Sequence, residues 1–208
     1  YLDVQDPDRK WILLEAKIYE ECFSLAVALL DHSTALICGG SGPKSSISRC
    51  FLFDLFSHTM SPASNMLEVR YGHAAVHYKE SVIVISGNTT SGSPLKSCEQ
   101  FSRDLNKWTP IASLNHSRYG HGATVIEDRI FVAGWVEFVE VFDGNTWSVL
   151  TKLPRSRYGC AAVSLSGRLV LVGGQDSTEV NAYDPVADKW NSLPSLTSPR
   201  SWTAAISF

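Results

Sequence analysis

The 208-residue sequence predicts an all-β protein built from a tandem array of similar four-stranded antiparallel units, and three observations carry that prediction. The first is a recurring start, Arg70-Tyr-Gly-His73, Arg118-Tyr-Gly-His121 and Arg157-Tyr-Gly-Cys160, each followed by small and then branched apolar residues. The second is a strongly apolar run closing on glycine, at 34–40, 81–87, 129–134 and 168–174. The third is a large apolar residue further on, Met60, Trp108, Trp147 or Trp190, which stands 10 residues before Arg70, Arg118, Arg157 or Arg200 in turn. Length varies instead between glycine and that residue, at 20, 21, 13 and 16 positions. A fixed frame with variable inserts is the mark of a repeat whose freedom lies in one set of loops.

Taken in order, residues 1–20 read as the tail of a unit, with Asp6-Pro7 as a turn and Trp11 opening an outer strand. Complete units follow at 23–66, 70–114, 118–153 and 157–196, and 200–208 supplies one further first strand. Phe23-Ser-Leu-Ala26 takes the place of the Arg-Tyr-Gly start in the first of them. The unit 157–196 shows the physical logic. Its first strand, Gly159-Cys-Ala-Ala-Val163, is made of small residues, as an innermost strand must be where units converge on an axis. Its second, Leu169-Val-Leu-Val172, is apolar on both faces and should be covered on both. Gly173-Gly174 ends it, 175–178 is loop, Val180-Asn-Ala-Tyr183 is a third strand, and Asp184-Pro185 supplies turn chemistry. Trp190 then starts an outer strand where the gap between units widens. Ser86 and Ala133 stand for the first glycine of their units. The unit 118–153 is short because Gly134 passes through Trp135 directly into 136–142, whereas 41–46 and 88–94 are long loops suited to contacting a partner. Nineteen strands result, compatible with either a five-unit body with a defective closing unit or a piece of a larger ring.

The combination of apolar run, Gly39-Gly40 or Gly173-Gly174, Phe53-Asp54, Phe142-Asp143 or Tyr183-Asp184, a tryptophan about six residues on and then arginine resembles the kelch repeat over essentially the whole chain. The resemblance implies a single domain, 1–208, folded as a kelch-type β-propeller of four-stranded antiparallel blades, about five present or a segment of a six-bladed ring. It also implies that residues just before each innermost strand surround the mouth of a central channel. Similar proteins grip acidic peptides there with arginines, which at the matching positions are Arg70, Arg118, Arg157 and Arg200; guanidinium forks suit carboxylates. The other reading of the same arginines is that they tie neighbouring loops by ion pairs or backbone hydrogen bonds. Tyr71, Tyr119, Tyr158 and Trp202 offer an aromatic rim, although alternation sends Tyr and Arg to opposite sides. The expected role is a noncatalytic protein–protein interaction module, a cytoplasmic substrate receptor for a cullin-type ubiquitin ligase or an actin-associated scaffold. The alternative is a kelch-type enzyme, a sugar mutarotase or metal-dependent oxidase, using the channel mouth.

Composition narrows these options. A net charge of −3 and scattered lysine and arginine provide no basic field for nucleic acid or anionic lipid. No apolar run reaches the roughly 20 residues of a membrane-spanning helix. Five cysteines without Cys-x-x-Cys speak against a disulfide framework or structural zinc, while the sequons Asn88-Thr-Thr and Asn115-His-Ser keep a secretory reading open. His73, His121, Cys160 and Thr203 share one frame position and are a conceivable metal set, but a residue repeated in every unit more often serves the unit, so no metal or cofactor is expected. No Gly-x-Ser-x-Gly, His-Glu-x-x-His or phosphate loop is present. Glu137 and Glu140 are close in sequence, yet strand geometry sends them to opposite faces.

Overall fold

The computed structural model describes residues 22–43 and 45–206. It is all-β, with four four-stranded antiparallel sheets, each formed by consecutive strands, standing as blades around an axis. Blade 1 comprises β1 (Ala26–Leu29), β2 (Thr34–Cys38), β3 (Cys50–Asp54) and β4 (Met60–Ala63); blade 2 comprises β5 (Ala74–Tyr78), β6 (Ser81–Ile85), β7 (Cys98–Ser102) and β8 (Lys107–Ile111). Blade 3 comprises β9 (Gly122–Ile126), β10 (Arg129–Gly134), β11 (Val136–Phe142) and β12 (Trp147–Lys152); blade 4 comprises β13 (Ala161–Leu165), β14 (Arg168–Val172), β15 (Val180–Asp184) and β16 (Lys189–Leu193). The partial unit expected at 1–20 lies outside the described residues.

The innermost strands β1, β5, β9 and β13 pack side by side around the axis, where space is short. A Cβ on Gly122 would stand 2.6 Å from the Cβ of Ala162 on the next blade, so the small residues of these strands are a steric requirement. The second strands carry the core. All five residues of β6 are buried, and its two faces serve different neighbours. Val82 and Val84 pack with Phe101 and Trp108 against Leu36 and Cys38 of blade 1, whereas Ile83 and Ile85 join Ile130, Val132, Phe142 and Trp147 of blade 3. Phe131, Ala133, Val139 and Val141 repeat the arrangement against Leu169 and Leu171 of blade 4. Each buried Val, Leu, Ile or Phe among them contributes about 1.5–3 kcal/mol.

The aromatic–aspartate step ends the third strands by turn chemistry. Asp54 Oδ1 accepts from the N–H groups of Phe56 at 3.0 Å and Ser57 at 2.7 Å, Asp143 Oδ1 from those of Asn145 at 2.8 Å and Thr146 at 2.9 Å, and Asp184 Oδ1 from those of Val186 and Ala187, both at 3.0 Å. These backbone donors hold all three carboxyls below the usual range.

A staircase of backbone hydrogen bonds joins blade to blade at one end of the channel. The N–H of Gly72 donates to Ser24 O at 2.9 Å, Gly120 to Gly72 O at 2.9 Å, Gly159 to Gly120 O at 2.6 Å and Trp202 to Gly159 O at 2.7 Å. All five residues have left-handed backbone, with φ of 55° at Ser24, 58° at Gly72, 61° at Gly120, 67° at Gly159 and 57° at Trp202. The staircase corrects the sequence alignment at the first unit by one residue: Ser24 matches Gly72, so Phe23 matches Tyr71 and Cys22 matches Arg70. A second correction concerns 200–206, which was expected to be a first strand and forms none. Trp202 docks on blade 4 as a first strand would, its N–H donating to Gly159 O, but 200–206 make no strand pairing among the described residues.

A second set of interblade bonds corrects the frame in blade 3. The N–H groups of Gly40, Gly87 and Gly174 donate to the carbonyls of Arg70, Arg118 and Arg200 at 2.9, 3.1 and 2.7 Å, and in blade 3 the donor to Arg157 O is Trp135, at 2.8 Å. Gly134 is therefore the counterpart of Ser86 and Gly173, and Trp135 occupies the place of the second glycine. The ladder shifts register between Val132 and Gly134 to accommodate this.

Candidate functional site

The arginines frame the site from inside the blades. Arg70 and Arg118 are fully buried and Arg157 is 6% exposed. Arg70 Nη2 donates to Glu99 Oε1 at 2.6 Å and its Nη1 to Ser86 O at 2.6 Å. Arg118 Nη2 donates to Glu140 Oε1 at 2.8 Å and its Nη1 to Gly134 O at 3.0 Å. Arg157 Nη2 donates to Asn181 Oδ1 at 2.8 Å and its Nη1 to Glu179 O at 3.2 Å. The carboxylates hold the chain that enters the blade: Glu99 accepts from the N–H groups of Leu67 and Glu68 at 2.7 and 3.1 Å, and Glu140 from those of Asn115 and His116 at 2.6 and 3.0 Å. Burial pushes the Glu140 carboxyl up, but the Arg118 bond and the Asn115 donors outweigh it and leave the group below its usual range. Arg118 is lowered from its ordinary value, chiefly by burial. Three of the four arginines expected to grip a peptide are thus enclosed and occupied by the protein itself, which is the loop-tying reading. Arg200 differs, with an exposed side chain.

Glu99, Glu140 and Asn181 were not picked out for this role from the sequence, though they stand two residues before Phe101, Phe142 and Tyr183 in every case. In blade 1 both members of the pair are replaced together, by Cys22 and Phe51. Glu137, by contrast, faces solvent and pairs with Lys152 at 3.0 Å, so the two glutamates do lie on opposite sides of β11.

Alternation sends the residue after each arginine the other way, to the channel mouth. Tyr71, Tyr119 and Tyr158 are partly exposed there and belong to a cluster completed by Trp135 and Trp202. Ring centroids lie 5.6 Å apart for Tyr71–Tyr119, 5.3 Å for Tyr119–Trp135, 5.8 Å for Trp135–Tyr158, 5.4 Å for Tyr119–Trp202 and 6.3 Å for Tyr158–Trp202. Most neighbours meet edge to face, at 73° for Tyr71–Tyr119, 76° for Tyr119–Trp135 and 71° for Trp135–Tyr158. Burial, then the neighbouring Tyr71 and Tyr158, pushes the Tyr119 phenol above its usual value. Glycines seat the rings: a Cβ on Gly72 would stand 2.7 Å from the Tyr119 ring, and one on Gly120 would stand 3.0 Å from the Trp202 indole.

Both tryptophans occupy places that glycine holds in other blades. Trp135 replaces the counterpart of Gly40, Gly87 and Gly174, with φ of 71°, and Trp202 the counterpart of Gly72, Gly120 and Gly159, with φ of 57°. A bulky side chain in left-handed backbone is an outlier costing about 1–3 kcal/mol. The long loops stand at the same end of the blades. Asn88 exchanges backbone bonds with Tyr71, its N–H donating to Tyr71 O at 2.8 Å and its carbonyl accepting from Tyr71 N–H at 3.1 Å. Ser46 N–H donates to Thr90 Oγ1 at 3.2 Å, joining one loop to the other.

Beneath the rings, a cavity of about 370 Å³ is lined by His73, His121, Cys160 and Thr203 among others, so the repeated position does face the axis. The two histidines are buried and serve blade contacts: His73 Nε2 lies 3.7 Å from Cys38 Sγ of blade 1, and neither ring nitrogen of His121 has a hydrogen-bond partner. Burial, and then the adjacent arginine, lowers both pKa values, that of His121 to about 3. Among the described residues, no group of three or more His, Cys, Asp or Glu is arranged to hold a metal. The sequon amides are engaged internally, Asn88 Nδ2 donating to Tyr71 Oη at 3.0 Å and Asn115 Nδ2 to Glu140 Oε2 at 2.9 Å. Among the described residues no helix is long and apolar enough to cross a membrane.

Comparison with known proteins agrees with this architecture. Residues 156–197 match the model of the Kelch motif. No curated protein matches the chain. Among solved structures, that of YjhT superposes with a TM-score of 0.72 at 17% identity, covering 86% of this chain and 67% of that one. With a Kelch motif at 156–197 and four blades built on one frame, the chain is a β-propeller that carries a Kelch motif.

Proposed function

We propose that this propeller is a noncatalytic recognition module that binds a protein segment across the channel mouth, with Tyr71, Tyr119, Trp135, Tyr158 and Trp202 as the contact surface. The observation that carries the reading is the pair of tryptophans at glycine positions. The three other blades place glycine at the Trp135 position, and at the Trp202 position three blades have glycine and blade 1 has the small Ser24, so the side chains of Trp135 and Trp202 are not needed to build a blade. Strain retained where a relaxed residue is available is a mark of a functional surface, and partly exposed Trp and Tyr are the residues in which interface energy concentrates. The acidic-peptide version of this function loses most of its basis, because only Arg200 of the four arginines offers an exposed guanidinium. Cytoplasmic placement and service in a cullin-type ligase or an actin scaffold remain the contexts suggested by the kelch architecture.

The test is selection of a displayed random-peptide library on the wild-type chain and on Trp135→Gly, which restores the residue of the other blades. Selected peptides should bind the wild type and lose about thirtyfold or more on the variant, as removal of a central aromatic anchor costs about 2 kcal/mol or more. Peptides that bind both proteins equally would move recognition away from the mouth. Turnover of a substrate by the purified chain would instead favour the enzyme reading.

A further inference from the structure

We propose that Cys38 and Cys50 form a reversible disulfide, which gives blade 1 a redox-dependent staple at the base of the loop 41–46. The two cysteines are direct partners in the register of β2 with β3, and both are buried in the core shared with blade 2. The ladder on either side fixes the kind of site they share. The N–H of Gly39 donates to Arg49 O at 3.0 Å and that of Leu55 to Ser33 O at 2.7 Å. Bonded and non-bonded pairs alternate along an antiparallel ladder, so Gly39 with Arg49 and Ser33 with Leu55 are bonded pairs and Cys38 with Cys50 is a non-bonded one. Such partners carry their side chains on one face with Cα atoms about 4.5 Å apart, within the roughly 4.4–6.8 Å that a disulfide spans. Joining them asks for side-chain rotation and no change of register. The thiols already sense each other: the neighbouring Cys50 thiol, and then burial, push the Cys38 thiol well above its usual range.

The pair is particular to blade 1. Its counterparts are Ile85 with Cys98 in blade 2 and Val172 with Val180 in blade 4, so branched apolar residues build the same position and facing thiols are not a demand of the fold. Blade 1 is also the blade in which the buried arginine and its acceptor are replaced, by Cys22 and Phe51. In blade 2 the corresponding Glu99 receives Arg70 and the N–H groups of Leu67 and Glu68, tying strand to incoming chain. A covalent bond at Cys50, the neighbour of Phe51, supplies a tie where that one is missing. It closes the chain between the cysteines into a short loop, whose Ser46 N–H donates to Thr90 Oγ1 of the adjoining loop at 3.2 Å. With a peroxide as oxidant, the Cys38 sulfur attacks one peroxide oxygen and becomes a sulfenic acid as water leaves, and the Cys50 sulfur then displaces the second oxygen as water. Two thiols lose two protons and two electrons, and one hydrogen peroxide becomes two waters. His73 Nε2 lies 3.7 Å from Cys38 Sγ. Buried, protonated thiols react slowly, so the bond answers sustained oxidant and not a brief pulse.

The experiment incubates the folded chain with hydrogen peroxide, alkylates the remaining thiols in urea without reductant, and maps the peptides by tandem mass spectrometry. Cys38 and Cys50 should escape alkylation together and appear joined to each other, while Cys22, Cys98 and Cys160 are alkylated. The oxidised chain should unfold at higher urea, with an unfolding constant lowered about tenfold or more because the closed loop restricts the unfolded chain. Dithiothreitol should reverse the change. Cys50→Val, which places there the residue of blade 4, should show no response to peroxide, and Cys98→Val should respond as the wild type does. Mapping of the wild type decides the pairing whether or not either variant folds. Free Cys38 and Cys50 after exposure, a bond that uses Cys22 instead, or a Cys38–Cys50 bond that leaves the urea midpoint unchanged or lowers it would overturn the proposal.

Discussion

At the scale of single residues, the same sequence position plays opposite parts on its two sides. Arg118 turns into blade 3 and Tyr119 out to the mouth, so adjacent residues of one motif divide into scaffold and surface. The scaffold half is tested at Glu140, which is fully buried and receives Arg118, Asn115 and His116 at once. Glu140→Ala leaves a buried guanidinium and two backbone donors without their acceptor and should destabilise by about 3–5 kcal/mol. Glu140→Gln keeps the volume and one of the two acceptor oxygens and should cost less, in line with the neutral Asn181 that accepts from Arg157 in blade 4. Urea unfolding midpoints of the two variants decide the matter: equal, small losses would mean that the ion pair ties nothing. The frame position of the arginines was legible from sequence, but the direction of their side chains was not. That direction depends on Glu99 and Glu140, whose partners lie 29 and 22 residues away, and only the paired absence of arginine and glutamate in blade 1 hinted at it.

At the scale of the blade, the large residue that starts the outer strand reaches back to the preceding blade. Trp108 Nε1 donates to Ser64 O at 2.8 Å and Trp147 Nε1 to Ala112 O at 3.0 Å, and both indoles are buried in interblade cores. Trp190 is only partly buried, and its Nε1 has no partner. Periodicity makes the three look equivalent, and the structure ranks them. Trp108→Ala should cost about 3–5 kcal/mol, and Trp190→Ala less, since the cost of truncation follows the packing that is lost. Equal losses by chemical denaturation would refute the ranking. The blade frame was legible because small, apolar, glycine and aromatic residues each answer a steric demand of a radial wedge. The one-residue offset at Trp135 was not, because Ala133-Gly134 imitates the glycine pair and only the hydrogen bond to Arg157 O places the tryptophan correctly.

At the scale of the whole molecule, the blades are joined near the axis by the glycine staircase and by His73 and His121 beneath it, so axial packing couples stability to pH. Both histidines are neutral in the folded state because burial, reinforced by Arg70 and Arg118 respectively, depresses them below the ordinary 6.5. The sign follows from linkage: the unfolded chain takes up protons near pH 6.5, and the folded chain does so only at lower pH, near 3 for His121. Their contribution to stability is therefore complete above about pH 6.5 and is lost progressively as the pH falls through that window. The depressed carboxyls of Asp31, Asp54, Asp143, Asp184 and Glu140 act in the same direction, but only once the pH drops into the carboxylate range, below about 4. A histidine-specific window thus lies between roughly pH 6.5 and 4.5. Urea midpoints of the wild type should decline across it, and those of His121→Gln, which cannot titrate, should decline less steeply even if that variant is weaker at pH 7. Parallel profiles would show that His121 titrates normally in the folded protein, and with that the burial of its ring in the channel wall beneath the aromatic mouth would be disproved.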